Sequence, residues 1–150
     1  MKIFCDTNIV MEYLQQRQHA ASVECILSKA LQEGDTLYIS SGSFYTITYL
    51  TERYLKTDSS LKKEDRTERL RYILRGVLNT FRIADTFGDA FLNAVNDARF
   101  DDLEDSYQAN VAENMTCEVF LTINEKHFSR FNAESVVRVF SPDEYVKEYV

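Results

Sequence analysis

The sequence has little of the residues that mark turn-rich or cross-linked proteins. Its 150 residues include four glycines, one proline and three cysteines. Sandwiches and barrels of short strands need turn signals at regular intervals, so this scarcity argues against both. An odd number of cysteines without metal-type spacing is typical of reduced core thiols in a cytoplasmic protein. We therefore expect Cys5, Cys25 and Cys117 to be free thiols in the core.

An excess of positive charge and a long apolar run are also missing. Lys and Arg number 17 against 24 Asp and Glu, for a formal charge of −7. A protein that held nucleic acid by charge alone would more often be basic. An acidic protein can still act on nucleic acid when metal ions lie between its carboxylates and the phosphates. With no secretory signal and no membrane-spanning run, we expect a cytoplasmic protein that does not associate with membranes.

Apolar residues are abundant, and strand-like patterns alternate with helical patterns along the chain. Hydrophobic residues make up 45% of the chain, with ten Phe and nine Tyr, enough for one substantial core. The alternation predicts an α/β fold with a mostly parallel sheet, in a single domain over residues 1–150. The predicted strands are 2–6, 37–40, 81–84, 118–122 and 136–140. The main predicted helices are 8–18, 21–33, one after the turn at 41–43, one through Leu78, 89–100, 101–115, and a last helix that Ser141 caps.

Two segments allow more than one interpretation. The charged stretch 56–71 is best explained as a solvated loop that leads into an exposed helical turn, with an antitoxin or RNA contact as the alternative. The aromatic residues of the third helix could be core or a dimer face, and we expect core for most of them. These aromatic residues are Phe44, Tyr45, Tyr49 and Tyr54.

Carboxylates in two segments are the candidate chemistry. Asp6 follows the first strand, and in open parallel sheets ligands bind outside the carboxyl ends of strands. On a helical wheel Asp105 shares its face with the small residues Ala109 and Ala112, so it points inward. A carboxylate aimed inward is costly unless it is paired, hydrogen-bonded or metal-bound. Asp102 lies near the same face, although it is also a good N-cap.

Together these carboxylates predict a metal site. Mg²⁺ and Mn²⁺ prefer oxygen ligands and keep several waters, so two or three carboxylates suffice. We expect Asp6, Asp102 and Asp105 to hold the ion. Glu104 falls nearer Val111 and Met115 on the wheel, with escape into solvent as the alternative because it lies in the first turn. The residues after the fourth strand should lie on the same edge as Asp6, namely Thr122, Asn124 and Glu125. We interpret His127 as an ordinary polar position beside Phe128, since no second His is nearby, with a general base or metal ligand as the alternative.

Three segments, in this order, resemble the PIN-domain ribonucleases, and among them the VapC-like toxins. The segments are Asp6-Thr7-Asn8, then Asp102-Leu103-Glu104-Asp105 with the downstream Gln108, Ala109 and Ala112, and finally 120–128. The resemblance implies a three-layer α/β/α sandwich around a mostly parallel sheet of about five strands. It also implies Mg²⁺- or Mn²⁺-dependent cleavage of RNA, a cognate antitoxin as partner, and a homodimer.

The resemblance also implies roles for single residues. Asp6 matches the first acid of the family site, with Asn8 as the polar residue of the same motif. Asp105 matches the third acid, with Asp102 close by. Thr46 stands about where the family has a Glu, and Asn124 stands where many members have an Asp. His127 stands where a further Asp is common in the family. Asn8, Thr46 and Asn124 would position water or phosphate by hydrogen bonds.

Three functions stay open at this point. The first is a metal-dependent ribonuclease, the toxin of a toxin–antitoxin pair. The second is a PIN-like domain without catalysis that acts in RNA binding or protein interaction, an alternative motivated by the two missing acids. The third is a phosphotransfer domain of receiver or haloacid-dehalogenase type, which also places an Asp after its first strand. Against the third, Asn8 replaces the second acid of the dehalogenases, and no Lys follows the last strand as in receivers.

Overall fold

The computed structural model describes residues 1–150 and contains five strands and eight α-helices. The strands are β1 Lys2–Cys5, β2 Thr36–Ser40, β3 Arg82–Ala84, β4 Val119–Leu121 and β5 Arg138–Phe140. The helices are α1 Thr7–Leu14, α2 Ala20–Glu33, α3 Ser41–Leu55, α4 Lys63–Thr80, α5 Gly88–Val95, α6 Leu103–Asn114, α7 Ser129–Glu134 and α8 Pro142–Tyr149. A short 3₁₀ helix, Glu125–Phe128, joins β4 to α7.

The sheet is parallel throughout, with the strand order β3-β2-β1-β4-β5. The chain builds outward from β1 through β2 to β3, then returns to the other side of β1 to form β4 and β5. The order therefore reverses between β1 and β4, which makes the carboxyl ends of these two strands a topological switch point. Ligands of open α/β sheets bind in the crevice at such a point.

Alternate residues of each strand enter two separate cores. Ile3 and Cys5 of β1 lie in the larger core, which α1, α2, α3, α4 and α8 cover. Phe4 faces the other way and stacks on Phe120 of β4, with ring centroids 5.3 Å apart. That second core holds a cluster of phenylalanines together with the small residues of α6. The predicted three-layer α/β/α sandwich is confirmed.

Two helices are shorter than predicted, for local reasons. Helix α1 ends at Leu14 instead of residue 18, and Gln16 turns the chain with a φ of 49°. Helix α5 ends at Val95 instead of residue 100. Soon after it, the Asp97 carboxylate accepts a hydrogen bond from the backbone N–H of Arg99, a local contact that competes with helical bonding. Within the charged stretch 56–71, helix α4 already begins at Lys63.

The prediction that most α3 aromatics are core is wrong. Tyr45 is 78% exposed, and Tyr49 and Tyr54 are also exposed, whereas Phe44 packs against the larger core. The inward positions of α3 recur every four residues and belong to Ile47, Thr51 and Leu55. The three tyrosines lie off that stripe, because one helix of this geometry presents only one narrow face to the sheet.

The cysteine prediction is partly confirmed. All three thiols are free, and Cys5 and Cys117 are buried, but Cys25 is exposed on α2. Among the helices, none combines the length and the apolar character that crossing a bilayer requires.

Candidate functional site

Asp6 lies at the centre of the switch point. It follows β1, caps the N-terminus of α1, and is only 6% exposed. Its Oδ1 accepts a hydrogen bond from the backbone N–H of Thr7 at 2.7 Å, and its Oδ2 accepts one from Thr122 Oγ1 at 3.0 Å. No Lys, Arg or His side chain forms a salt bridge with it. Asp6 is therefore a buried carboxylate that two hydrogen bonds hold in place and that no protein cation neutralises.

Burial raises the pKa of Asp6 to about 6, from an ordinary value of 3.8. The two hydrogen bonds from Thr122 and Thr7 oppose this rise, while the negative charges of Asp105 and Glu104 add to it. An acid in such surroundings is costly to ionise without a positive partner. The site therefore lacks a positive charge that would stabilise the ionised form of Asp6.

Asp105 approaches Asp6 from the first turn of α6. As predicted, it lies on the inward side of the helix, where Ala109 and Ala112 are fully buried. Its Oδ2 is 3.0 Å from His127 Nδ1. Burial raises the pKa of the Asp105 carboxyl, with a smaller contribution from the charge of Asp102, and the hydrogen bond from His127 lowers it. Our interpretation of His127 as an ordinary polar position overlooked this contact, which the spacing of residues 105 and 127 does not reveal.

Asp102 and Glu104 are both exposed at the start of α6. Asp102 caps α6, accepting hydrogen bonds from the backbone N–H groups of Glu104 at 2.9 Å and Asp105 at 3.3 Å. The side chain of Glu104 is exposed, yet its negative charge contributes to the raised pKa of Asp6. Glu104 is thus a member of the acidic cluster that sequence reasoning missed, and the N-cap explanation fits Asp102 well. Whether Asp102 also binds metal stays a prediction.

The residues after β4 lie at the same edge as Asp6. Thr122 is buried, and its Oγ1 accepts a hydrogen bond from the backbone N–H of Asn124 at 3.1 Å while donating to Asp6. Asn124 and Glu125 are half-buried at the start of the 3₁₀ helix. Asn8 is half-buried in the first turn of α1, two residues after Asp6. Thr122 therefore orients Asp6 directly, and the roles of the other three stay predictions.

A second polar cluster, all neutral, adjoins the carboxylates. Ser43 Oγ contacts Thr7 Oγ1 at 2.7 Å and accepts hydrogen bonds from Ser40 Oγ at 3.0 Å and Gln108 Nε2 at 2.9 Å. These buried residues join the starts of α1 and α3 to the middle of α6. One turn along α3, Thr46 donates to the carbonyl oxygen of Gly42 at 3.3 Å and is half-buried. The part of the site where the family has a second acid is thus built from hydroxyl and amide groups.

The acidic cluster fits a divalent cation that retains water. No three His, Cys, Asp or Glu side chains are arranged as a ready-made metal site. Mg²⁺ commonly binds through one or two carboxylates and keeps several waters, so such a site need not be closed. Asp6, buried without a cationic partner and facing Asp105, supplies the hard oxygen donors and the uncompensated charge that this mode of binding requires.

Two other hollows flank this centre. A polar one of about 340 Å³ lies beside Asp102 and Asp105 and is lined by Lys126, His127 and Arg130 among others. An apolar groove of about 490 Å³ lies between α1, α2 and α4, on the other face of the sheet from α6. Its lining includes Val10, Tyr13, Leu27, Tyr72 and Phe81.

Comparison with known proteins gives one family. A sequence model described as the PIN domain matches residues 3–134. A crystal structure of VapBC2 from Rickettsia felis bound to a DNA fragment from their promoter superposes with a TM-score of 0.67 at 17% identity, covering 94% of this chain and 98% of that chain. A structure of VapBC-1 from nontypeable Haemophilus influenzae superposes with a TM-score of 0.62 at 15% identity, covering 95% of this chain and 99% of that chain. A toxin-antitoxin complex from Klebsiella pneumoniae superposes with a TM-score of 0.61 at 19% identity, covering 93% of this chain and 97% of that chain. No curated protein sequence matches significantly.

Proposed function

Because the chain belongs to the PIN domain family, we propose that it is a divalent-metal-dependent ribonuclease and the toxin of a toxin–antitoxin pair. The observation that carries the proposal is Asp6, a buried carboxylate at the switch point that faces two further acids and no cation. A site of this kind is stabilised by Mg²⁺ or Mn²⁺, the ions that bind phosphates beside carboxylates.

Each acidic residue has a proposed task. A bound divalent ion supplies Lewis acidity toward a phosphate oxygen and lowers the pKa of its water. Asp6 and Asp105 would hold the ion, one from β1 and one from α6. Glu104, whose charge reaches Asp6, would accept hydrogen bonds from waters that the ion retains. Asp102 stays a candidate for the same role, in addition to its cap.

Neutral and imidazole groups would orient the carboxylates and the substrate. Thr122 fixes one oxygen of Asp6, and His127 fixes one oxygen of Asp105, so each acid keeps its other lone pairs for a ligand. Asn8, Thr46, Asn124 and Glu125 border the same edge and would position water or phosphate by hydrogen bonds. Loss of an orienting contact of this type typically costs about 10–100-fold in metal affinity or activity.

The test is cleavage of a mixed single-stranded RNA with Mn²⁺, with EDTA, and with Asp6→Ala and Asp105→Ala proteins. We expect RNA cleavage that depends on Mn²⁺ and that either substitution abolishes. A matched control is Asp101→Ala, which removes an exposed acid next to the cluster that makes no hydrogen bond to it. Cutting that persists in EDTA, or in both variants, would contradict the assignment.

We also propose an antitoxin partner, since the structural neighbours include toxin–antitoxin complexes. The apolar groove between α1, α2 and α4 is the surface we assign to it, because exposed apolar hollows of this size mark interaction sites. Tyr72 is 74% exposed at the groove, so Tyr72→Asp is the first variant to test in co-purification with a candidate antitoxin, which it should weaken. A homodimer is the remaining partner expected from the family, and sedimentation at micromolar concentration tests it.

A domain without catalysis is the second candidate, and Thr46 and Asn124 favour it because neither supplies the charge of an acid. A folded wild-type protein that neither cuts RNA nor binds Mn²⁺ in calorimetry would establish this alternative. The site would then mark RNA binding or protein interaction.

A further inference from the structure

A small pocket next to the acidic cluster shares Thr46 and Glu104 with the proposed reaction, but the rest of its lining has no task there. It is lined by Ser40, Thr46, Thr86, Phe91, Tyr107 and Gln108, and we call it the aromatic pocket. It lies at the carboxyl ends of β2 and β3, beside the end of β1 where Asp6 stands. Glu104 also borders it, and the charge of Glu104 reaches Asp6. A ligand bound at the carboxylates would therefore extend into this pocket.

One wall of the aromatic pocket is aromatic and fixed. Phe91 of α5 and Tyr107 of α6 meet edge to face, with ring centroids 5.8 Å apart. The hydroxyl of Ser106 donates to the carbonyl oxygen of Ala94 at 2.6 Å, which ties α5 to α6 next to this pair. Phe91 remains 46% exposed, so part of its ring is free to contact a ligand. Single-stranded nucleic acids bind proteins largely by stacking bases on such rings.

The remaining lining is polar and has an unused acceptor. Ser40, Thr46 and Thr86 contribute hydroxyl groups. Ser40 and Thr46 already donate within the protein, to Ser43 Oγ and the Gly42 carbonyl oxygen, so their oxygens face a ligand as acceptors. Gln108 is 5% exposed, and its Nε2 donates to Ser43, but its Oε1 is buried and has no hydrogen-bond partner. A buried acceptor without a partner destabilises the fold, because its lost hydration is not replaced by a hydrogen bond. A ligand N–H group would remove this cost once the Gln108 side chain turned Oε1 toward the pocket.

The size of the aromatic pocket limits the ligand. Its volume is about 160 Å³. Small-molecule sites are commonly about 300–1,000 Å³, so this pocket suits one planar ring and not a whole cofactor. Every RNA base combines a flat face for stacking with at least one N–H group on its pairing edge.

We propose that the aromatic pocket receives one unpaired base of single-stranded RNA, adjacent to the phosphate that the acidic cluster holds. The base stacks on the exposed part of Phe91, which Tyr107 supports edge to face, and its edge meets the polar lining. This proposal rests on the proposed function only in taking RNA as the ligand. It predicts that the protein prefers single strands, because a base within a duplex is already stacked and paired.

Binding without cleavage tests the proposal. A fluorescein-labelled mixed-sequence decaribonucleotide is titrated with the protein in Ca²⁺, which also takes carboxylate oxygen ligands, and again in EDTA. Its affinity is read from anisotropy, and a gel checks that the strand stays intact. A wild type that binds the strand in neither condition would overturn the proposal. The variants are Phe91→Ala and, as a matched control, Leu92→Ala, which removes the neighbouring apolar side chain of α5, 62% exposed and outside the pocket. A second strand of the same length has several abasic positions and keeps the phosphate charge. Circular dichroism and sedimentation velocity are recorded for each protein.

We expect Phe91→Ala to weaken binding by about tenfold, the scale of one lost stacking contact, and Leu92→Ala to change it by less than about twofold. The abasic strand should bind the wild type about tenfold more weakly than the intact strand, and Phe91→Ala should not distinguish the two strands. Equal affinities for both strands in the wild type, or equal losses in both variants, would overturn the proposal. A change of oligomeric state in both α5 variants would assign the α5 face to contact between two copies instead, which also overturns it.

The outcome is separable from that of the proposed function. Base-dependent binding without any Mn²⁺-dependent cutting would retain the aromatic pocket and reject the nuclease. Cutting with no dependence on Phe91 or on the bases would retain the nuclease and reject the pocket.

Discussion

Replacing Asp6 by asparagine should make the metal-free protein more stable at neutral pH. Asp6 is buried, lacks a cationic partner, and faces the charges of Asp105 and Glu104, so its ionised form is unfavourable in the fold. Asparagine has nearly the same shape and no charge. Its Oδ1 can still accept the hydrogen bond from the backbone N–H of Thr7, and its Nδ2 can donate to Thr122.

The magnitude follows from the pKa. A rise from 3.8 to about 6 on folding means that the folded state binds the proton of Asp6 more tightly than the unfolded state does. The contribution of Asp6 to stability is therefore fully present below pH 3.8 and is lost as the pH rises through about 6. At about 1.4 kcal/mol for each pKa unit, the loss approaches 3 kcal/mol above that range, to order of magnitude. Rearranging the Thr122 hydroxyl offsets about 1 kcal/mol, so we expect Asp6→Asn to gain about 1–3 kcal/mol.

Urea denaturation followed by circular dichroism, in EDTA and at several pH values, measures this effect. The stability difference between Asp6→Asn and the wild type should be small near pH 4, grow between about pH 4 and 6, and be constant above. Mn²⁺ should raise the stability of the wild type and leave that of Asp6→Asn nearly unchanged, since only the wild type offers the charge that holds the ion. A variant less stable than the wild type at neutral pH, or a difference that does not vary with pH, would refute the reasoning.

Three further predictions concern other positions. Gly76→Ala should stabilise the protein by about 0.5–1 kcal/mol in urea denaturation, because a Cβ there meets no atom within 4 Å and alanine favours the interior of α4; Gly34→Ala should destabilise it by about 1 kcal/mol, because the φ of Gly34 is +73°. Asp102→Ala should cost about 1 kcal/mol through loss of the cap of α6, and Asp102→Ser, which keeps a cap, should not; equal losses in both would contradict a capping role. Thr46→Glu should tighten Mn²⁺ binding in calorimetry by about tenfold, through added negative charge beside the cluster, and an unchanged affinity would show that residue 46 does not face the ion.

The sheet and its edge could be predicted from the sequence because their signals are local. Each strand is a short apolar run between helical patterns, and each predicted strand is present within two residues at either end. Ser141 caps α8 with a reciprocal capping box to Glu144, as the Ser-Pro-Asp-Glu pattern indicates. Helix ends were less accurate, because Gln16 and Asp97 stop α1 and α5 through turn geometry and side-chain contacts that apolar periodicity does not encode.

The site could be predicted only where one element sufficed. Asp6 was identifiable at a strand end, and Asp105 was identifiable on the inward face of its helix. The bond from His127 to Asp105 joins residues 22 apart, and the bond from Gln108 to Ser43 joins residues 65 apart. Pairings of this range depend on how the helices are placed on the sheet, so no helical wheel reveals them. The wheel put Glu104 nearer the apolar side, by Val111 and Met115, whereas its place in the first turn pointed to solvent, where the side chain lies. Neither signal showed that its charge acts on Asp6.

The neutral residues at positions 46 and 124 have a physical consequence of their own. Two neighbouring acids already contribute to a pKa of about 6 for Asp6, so a further carboxylate at Thr46 or Asn124 would add like charge to a group that is hard to ionise. Such an acid strengthens the attraction for a divalent ion and, in the metal-free protein, weakens the fold. Compared with acids at the same positions, Thr46 and Asn124 therefore weaken the attraction for a divalent ion. They do not abolish it, because the unpaired charge of Asp6 remains. On this argument the departures from the family pattern favour a weaker metal site over an absent one.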